Sequence, residues 1–192
     1  MPRQFRAHDL RLAHGAALRT TLVFDRPFRF NVGEYGKGAI PLAIEPLIAS
    51  PDQGESFTIG ELRIVSRVQG AQSGKGLELY ELILGRFVID YHVHHNMDET
   101  LCVVEGSVEF SVAGKKYQQA ANSVVFVPKG IHHGFTNHGP ARARVLVLFT
   151  PAGAQHEYFR RLEQLLTTPS VDAAAVRALQ KQYDQQLVPV AA

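Results

Sequence analysis

Four residues in two stretches of this sequence have the side chains and the spacing of a metal site. His92 and His94 lie two apart, Glu99 follows five residues later, and His133 lies in a second stretch, PKGIHHGFTN. Side chains two apart on a β-strand leave the same face, so His92 and His94 can approach one ion together. Imidazole and carboxylate suit divalent iron, manganese, nickel, copper or zinc. Four protein ligands leave one or two positions open, as catalytic sites require.

The other histidines have a simpler interpretation. His95 and His132 each neighbour a ligand but fall one step out of strand parity, so we expect them to point away from the ion. A single histidine is more often a core or surface residue than a ligand, and we interpret four of them in that way: His8, His14, His138 and His156. An accidental cluster is the alternative for the four chosen residues, but their joint spacing favours a metal site.

Short strands must position these ligands. From Ser56 to Thr150, apolar runs of strand length alternate with turn residues, which indicates an antiparallel sandwich or barrel rather than βαβ units. After Pro151 the period changes, and AQHEYFRRLEQLL predicts an amphipathic helix that packs on the barrel through Tyr158, Leu162, Leu165 and Leu166. A second helix is predicted up to Leu187, with Ser170 as its N-cap.

Three segments follow from this pattern. Residues 1–52 are punctuated by glycine and proline and predict an irregular N-terminal arm that lies on the barrel or on a partner subunit. Residues 53–151 form the predicted barrel. Residues 152–192 form a helical tail that packs on the barrel or on a partner. The predicted fold is therefore all-β with an irregular arm and C-terminal α-helices.

Composition excludes several classes of function. The 192 residues are 45% hydrophobic and carry a formal charge of +2, which is too balanced for a nucleic-acid or anionic-membrane binder. No stretch approaches the length of a membrane span. The single cysteine, Cys102, excludes an internal disulfide and fits a reducing compartment. We expect a cytoplasmic protein.

Strand parity also predicts the pocket around the ion. If His92, His94 and His133 face inward, an apolar wall follows at Val88, Asp90, Val103 and Phe135, with Phe110 and Phe126 as further candidates. The opposite face of the first metal strand would carry Phe87, Ile89, Tyr91 and Val93, and the last strand, VLVLF, is apolar on both faces. Such faces need cover, so we predict a homodimer.

These two stretches resemble the two motifs of the cupin superfamily. HVHHNMDETLCVVEG fits the first motif, H-x-H-x4-E-x6-G, and PKGIHHGFTN fits the second, P-x-G-x2-H-x3-N. The resemblance extends from about Gly60 to Pro151 and implies a jelly-roll (double-stranded β-helix) barrel. Two departures touch no ligand: Gly85 stands one residue further from His92 than the family glycine does, and Asn122 replaces a glycine that leads the second motif. Asn122 should still support a left-handed turn.

The tail, FTPAGAQHEYFRRL, looks like that of quercetin dioxygenase-like single-domain cupins. This resemblance implies a metal-dependent dioxygenase in which a small aromatic or enolic, flavonol-like substrate chelates the ion and Glu99 acts as general base. Fold alone does not select the reaction. A cupin isomerase, cyclase or decarboxylase that works without O2, and a small-molecule binding module, remain the alternatives.

Overall fold

Eleven short strands and two helices make up the described part of the chain. The computed structural model describes residues 44–188. Most of the predicted N-terminal arm, residues 1–52, lies outside this range, and its described residues, 44–52, form no helix or strand. The boundaries predicted for the three segments stay predictions.

Two antiparallel sheets face each other. The first sheet has six strands in the order β1-β2-β3-β10-β5-β8, and the second has five in the order β11-β4-β9-β6-β7. Non-consecutive neighbours in both sheets are the crossovers of a jelly roll. The strands are β1 (Ser56–Ile59), β2 (Leu62–Val68), β3 (Glu78–Leu84), β4 (Phe87–Val93), β5 (Asp98–Glu105), β6 (Ser107–Val112), β7 (Lys115–Ala120), β8 (Val124–Val127), β9 (His133–Asn137), β10 (Ala143–Thr150) and β11 (Gln186–Leu187).

Alternating side chains explain why these segments form strands. In β10 every second residue is buried, from Ala143 through Val145 and Val147 to Phe149. The buried set faces the space between the sheets, where it packs against residues of the second sheet such as Phe110 and Phe135. The sequence prediction of an all-β jelly roll is confirmed.

Left-handed residues form the turns where the chain passes from one sheet to the other. Gly106 joins β5 to β6 with a φ of 77°, and a Cβ at this position would stand 2.7 Å from the carbonyl oxygen of Arg142. Asn122, before β8, has a φ of 72°. Asparagine tolerates this conformation better than most residues, so the turn survives the replacement of the family glycine, as expected.

Two helices follow the last long strand: α1 (Gln155–Leu166) and α2 (Ala173–Gln182). The prediction of Ser170 as the N-cap of α2 is wrong: Asp172 caps the helix, because its carboxylate accepts a hydrogen bond from the amide of Ala174 at 2.8 Å. Neither helix has the length and apolar character needed to cross a membrane, and no other helix of residues 44–188 does either.

The second helix also ends earlier than predicted. The helix was expected to run to Leu187, but it stops at Gln182 because Asp184 takes a left-handed conformation with a φ of 60°. The chain then forms β11, which pairs with β4 at Leu187 opposite His92. The tail of the chain thereby joins the sheet that carries the first two candidate ligands.

Candidate metal centre

Two adjacent strands of the second sheet, β4 and β9, and one strand of the first, β5, bring the four candidate ligands together. His92 lies at the end of β4 and His94 directly after it, Glu99 lies at the start of β5, and His133 begins β9. All four side chains are buried, and their ligand atoms lie within 4.8 Å of one another. The structure thus gathers the four residues that the sequence selected, whereas His95 and His132 are exposed.

Main-chain carbonyl groups orient the three imidazole rings. Carbonyl oxygens only accept, so each Nδ1–H must donate: His92 to Asp90 at 2.6 Å, and His133 to Ile131 at 2.9 Å. His94 donates in the same way to the carbonyl oxygen of Asp184 at 2.5 Å. With Nδ1 used in all three rings, the three Nε2 atoms are the ones left to meet a ligand.

Distances between the ligand atoms fit one ion. The Nε2 atoms of His92 and His94 are 3.2 Å apart, and Oε2 of Glu99 lies 3.2 Å from Nε2 of His94 and 2.7 Å from Nε2 of His133. Ligands about 2.0–2.2 Å from a common centre are separated by about 3 Å when they are neighbours. Nitrogen and carboxylate donors that converge inside a buried site are therefore able to hold a divalent transition metal.

Electrostatics keep the carboxylate of this cluster charged. Burial alone would raise the pKa of Glu99, but hydrogen bonds and electrostatic attraction from His133 and His94 outweigh it and hold the pKa well below its usual range. Burial, reinforced by repulsion from His133, lowers the pKa of His92 to about 4. His92 is therefore neutral at pH 7, as a metal ligand must be.

Glu99 also changes the pKa of its neighbour His133. Burial disfavours the charged form of His133, but the hydrogen bond to Glu99 outweighs burial and raises the pKa of His133 above its ordinary value. A histidine must be deprotonated at the nitrogen that binds a metal, so an ion at Nε2 would compete with a proton there.

A β-bulge in β4 corrects the predicted strand parity. Ile89 pairs with Phe135 and His92 with His133, so three steps along β4 match two steps along β9. One extra residue reverses the alternation, because parity has a period of two. Phe87 and Ile89, predicted to face outward, pack against the core, whereas Val88 and Asp90, predicted to face inward, are exposed at the rim of the cavity.

A cavity of about 240 Å³ opens beside His92, His94 and Glu99. Its wall is mostly apolar, and both sheets and both helices contribute to it. The apolar lining includes Ile59, Leu62, Ile64, Leu82, Phe87, Ile89, Phe135, Val147, Phe149, Phe159, Leu162, Leu166 and Val176. Polar groups enter at few positions: Asp90, Gln155, Tyr158, Gln180 and Gln185.

The predicted wall residues divide into two groups. Phe135 lines the cavity, and Val88 and Asp90 border it. Val103 and Phe110 are buried in the core away from the cavity: Val103 lies four residues beyond Glu99 along β5, and Phe110 packs behind Phe135 with ring centroids 5.6 Å apart. Phe126 is 58% exposed, because parity in β8 directs its neighbour Val127, opposite Glu99, to the inside.

The helical wall is the part of the site that sequence reasoning missed. The aromatic and leucine stripe of α1 was assigned to packing alone, yet Tyr158, Leu162 and Leu166 also line the cavity, as do Val176 and Gln180 of α2. Burial raises the pKa of the Tyr158 hydroxyl, so this group stays protonated and able to donate a hydrogen bond. The amphipathic period of α1 was visible, but it does not distinguish a core from a cavity.

Known proteins resemble the barrel of this chain. A family model described as "Cupin domain" matches residues 79–149. An uncharacterized protein of Streptomyces coelicolor is 40% identical over 73 residues, which are 38% of this chain and 67% of the relative.

Solved structures at low sequence identity share the fold. A TM-score of 0.50 relates this chain to an RmlC-like cupin from Shewanella frigidimarina (21% identity, 58% of this chain and 96% of that one). The same score is found for the polyketide cyclase RemF from Streptomyces resistomycificus (17%, 55% and 80%) and for a predicted oxalate decarboxylase from Thermotoga maritima (19%, 55% and 99%). At these identities the likeness concerns the fold alone.

Proposed function

We propose that this chain, whose residues 79–149 match the cupin-domain family model, is a metal-dependent enzyme, and specifically a dioxygenase of a small aromatic or enolic substrate. The observation that carries the proposal is a buried three-histidine, one-carboxylate cluster that borders an apolar cavity. A purely structural ion would not need such a cavity beside it. A divalent ion held by His92, His94, Glu99 and His133 would polarise substrate oxygens and, as iron, manganese, nickel or copper, support chemistry with O2.

The size of the cavity narrows the proposed substrate. Sites for drug-sized ligands commonly have volumes of about 300–1,000 Å³, and this cavity has about 240 Å³. A compound of one or two rings with adjacent oxygen donors suits it better than a whole flavonol. Phe135, Phe149 and Leu162 would hold the ring and exclude water, while the oxygens face the cluster.

Glu99 is the proposed general base. Its carboxylate is ionised and buried, with Oε2 2.7 Å from Nε2 of His133 and 3.2 Å from Nε2 of His94. A substrate hydroxyl that entered beside it would meet an acceptor for its proton within the site. We therefore propose that Glu99 holds the ion and, when it swings off the ion, takes this proton.

Tyr158 favours a second candidate, a metal-dependent isomerase, cyclase or decarboxylase that works without O2. Its protonated hydroxyl lies in the helical wall with the amides of Gln180 and Gln185. Such groups could donate a hydrogen bond to a developing negative charge on an intermediate, which oxygen insertion does not require. A polyketide cyclase and a predicted oxalate decarboxylase have a similar fold.

Metal analysis tests the site itself. We expect about one equivalent of metal in the purified protein, and loss of it in the double variant His92→Ala/Glu99→Ala. The matched control is His95→Ala/His132→Ala, which removes the two exposed histidines adjacent to the ligands and should keep the metal. No metal in the unmodified protein, or equal metal in both double variants, would contradict the site and leave a cupin-shaped binding module.

Oxygen uptake then separates the two reactions. We expect the metal-loaded protein to consume O2 with one-ring and two-ring enediol-like aromatic compounds, and Glu99→Gln to lose this uptake. Turnover that persists without O2, particularly with zinc bound, would replace the dioxygenase by the second candidate. A homodimer and a cytoplasmic location remain further proposals for this chain.

A further inference from the structure

The segment that follows α2 closes onto the loop that carries His94. Tyr183 is the C-cap of α2, Asp184 follows it, and β11 then pairs with β4. The amide of Val188 continues the pairing by donating to the carbonyl oxygen of Tyr91 at 2.9 Å. Gln155, buried at the start of α1, fixes the other end of the segment, because its Nε2 donates to the carbonyl oxygen of Tyr183 at 3.1 Å.

Asp184 makes its contacts with three consecutive residues of this loop. Its carbonyl oxygen accepts from Nδ1 of His94 at 2.5 Å. Its carboxylate accepts from the amide of His95 at 3.0 Å and from the amide of Asn96 at 2.8 Å. One residue of the tail thus fixes both the ring of a candidate ligand and the main chain that leads on to Glu99.

His94 differs from the other two histidines in how far along the sequence the acceptor of its Nδ1–H lies. His92 and His133 donate to carbonyl groups two residues earlier in the sequence, at Asp90 and Ile131. The acceptor of His94 lies 90 residues away in the sequence. The orientation of two rings is therefore set locally, whereas the orientation of His94 depends on where the tail docks.

The local backbone at Asp184 points to a role for its side chain. The amide of Gln185 donates to the carbonyl oxygen of Gln180 at 2.8 Å, and the amide of Asp184 donates to the carbonyl oxygen of Lys181 at 3.4 Å. This is the pattern of a Schellman helix end, in which the left-handed residue is usually glycine. Aspartate is a strained choice at this position for the turn alone. Its carboxylate supplies what glycine lacks, namely an acceptor for the two loop amides.

We propose that Asp184 is a positioning residue of the metal centre: it fixes His94 with its Nδ1 protonated and its Nε2 directed at the cluster. The inference rests on the proposed function in one respect, that the four-residue cluster holds an ion. Metal affinity then depends on the docked tail as well as on the four ligands. A partner of this kind around metal-ligating histidines commonly changes metal affinity about 10–100-fold.

Three variants test this role. Asp184→Gly keeps the left-handed turn and removes the carboxylate; Asp184→Asn keeps the turn and one acceptor oxygen. The matched control is Asp172→Ala, which weakens α2 at its other end by removing the N-cap, without contact to the loop. The Kd for Co²⁺ would be measured by competition with a chromogenic chelator, alongside the thermal unfolding of each metal-free protein.

We expect Asp184→Gly to bind Co²⁺ about 10–100-fold more weakly than the unmodified protein does. The affinity of Asp184→Asn should lie between those two affinities. Asp172→Ala should bind Co²⁺ like the unmodified protein. Long-range ¹H–¹⁵N spectra of the metal-free protein should show His94 protonated at Nδ1, and a mixture of tautomers in Asp184→Gly. A purely structural role would leave that tautomer unchanged.

Two results would overturn the inference. If the unmodified protein binds Co²⁺ and Asp184→Gly binds it equally well, the positioning role is wrong while the proposed function stands. An equal loss of affinity in Asp172→Ala would mean that only the stability of α2 matters. If the unmodified protein binds no metal, the proposed function fails and this inference fails with it.

Discussion

Each histidine of the cluster uses Nδ1 on a carbonyl group and presents Nε2 to its neighbours. This arrangement fixes which nitrogen can meet an ion, so the rings need little reorganisation when metal binds. The ring of His92 depends on the carbonyl of Asp90, which belongs to the bulge of β4. The bulge in turn depends on a single residue opposite it, Gly134.

Gly134→Ala should disturb the bulge and the metal centre together. A Cβ at Gly134 would stand 2.7 Å from the carbonyl oxygen of Ile89 and 3.0 Å from that of Asp90, so β4 must move. We expect a loss of about 1–3 kcal/mol in the free energy of unfolding, typical of overpacking. We also expect weaker metal binding, because the acceptor of His92 shifts. Urea unfolding and chelator competition measure the two effects.

Gly114→Ala is the control for this prediction. Gly114 has a φ of 77° and open space around its Cβ position, so alanine there costs about 1–2 kcal/mol of backbone strain without meeting another atom. Its metal affinity should equal that of the unmodified protein. The prediction is wrong if the two variants bind metal equally well.

At the scale of elements, the first sheet carries a charged group on its outer face. Glu81 of β3 is buried beneath two arginines, with contacts of 2.5 Å to Arg67 and 2.7 Å to Arg144. Burial alone would raise the pKa of Glu81, but hydrogen bonds from both arginines outweigh it and lower the pKa below its ordinary value. The carboxylate ties β2, β3 and β10 together at the centre of the sheet.

Glu81→Gln should therefore lower stability in a pH-dependent way. The pKa of Glu81 is lower in the folded protein than in the unfolded one, so its contribution is complete above the unfolded value and is lost as the pH falls through the folded value. At pH 7 we expect a loss of about 1.5–3 kcal/mol, the size of hydrogen bonds to a charged group. The difference between the two proteins should shrink below about pH 4.5. Urea unfolding measures the two free energies of unfolding. If their difference stays constant from pH 7 to pH 3, the prediction is contradicted.

Helix α1 forms part of the wall of the cavity, so Leu162→Ala should enlarge the cavity. Leu162 lines the cavity and packs on the core, while Leu165 of the same helix does not line it. We expect the variant, once metal-loaded, to bind larger phenols more tightly than the unmodified protein does, measured by calorimetry over a series of increasing ring size. Stability should fall by about 2 kcal/mol, at the low end for leucine truncation, because Leu162 is only half-buried.

Leu165→Ala provides the comparison for this wall. The size preference of this variant should match that of the unmodified protein, and both leucine variants should keep their metal, because neither side chain contacts a ligand. If the two variants change the preference for phenols of different size equally, the wall formed by α1 does not select the substrate.

At the scale of the whole molecule, the outer face of β5 and β8 exposes apolar side chains. Val124 is 64% exposed and Phe126 58%, and Val104 on the neighbouring strand is 39% exposed. Among residues 44–188, strand β8 is also an edge of its sheet. Adjacent apolar groups on an edge strand are typical of an interface.

We expect the protein to be a dimer in light scattering at micromolar concentration, and Phe126→Glu to convert it to a monomer, because a charge cannot be buried there without a partner. Tyr117→Glu is the control: Tyr117 is 44% exposed on β7, an edge strand of the other sheet. A monomer without any substitution, or dissociation by both variants, would refute the predicted interface.

Sequence alone determined the class of fold, the two helices and the four residues of the cluster. Those conclusions rest on residue type and on local periodicity, and both are properties of short segments. The same reasoning failed at Phe87, Ile89, Val88 and Asp90, because a single extra residue in β4 reversed the alternation. It also placed Phe126 in the pocket, although the pairing of β8 with β5 directs that side chain outward.

Tertiary structure decided how the cluster is built and enclosed. In the bulge, one residue of β4 has no partner on β9. Gly134 leaves space for the bulged main chain because it has no side chain. The helical wall exists because α1 and α2 fold back over the open end of the sheets. The acceptor for His94 is a main-chain carbonyl, which every residue possesses, so no pattern of side chains could identify Asp184. Only the docking of the tail 90 residues away selects it.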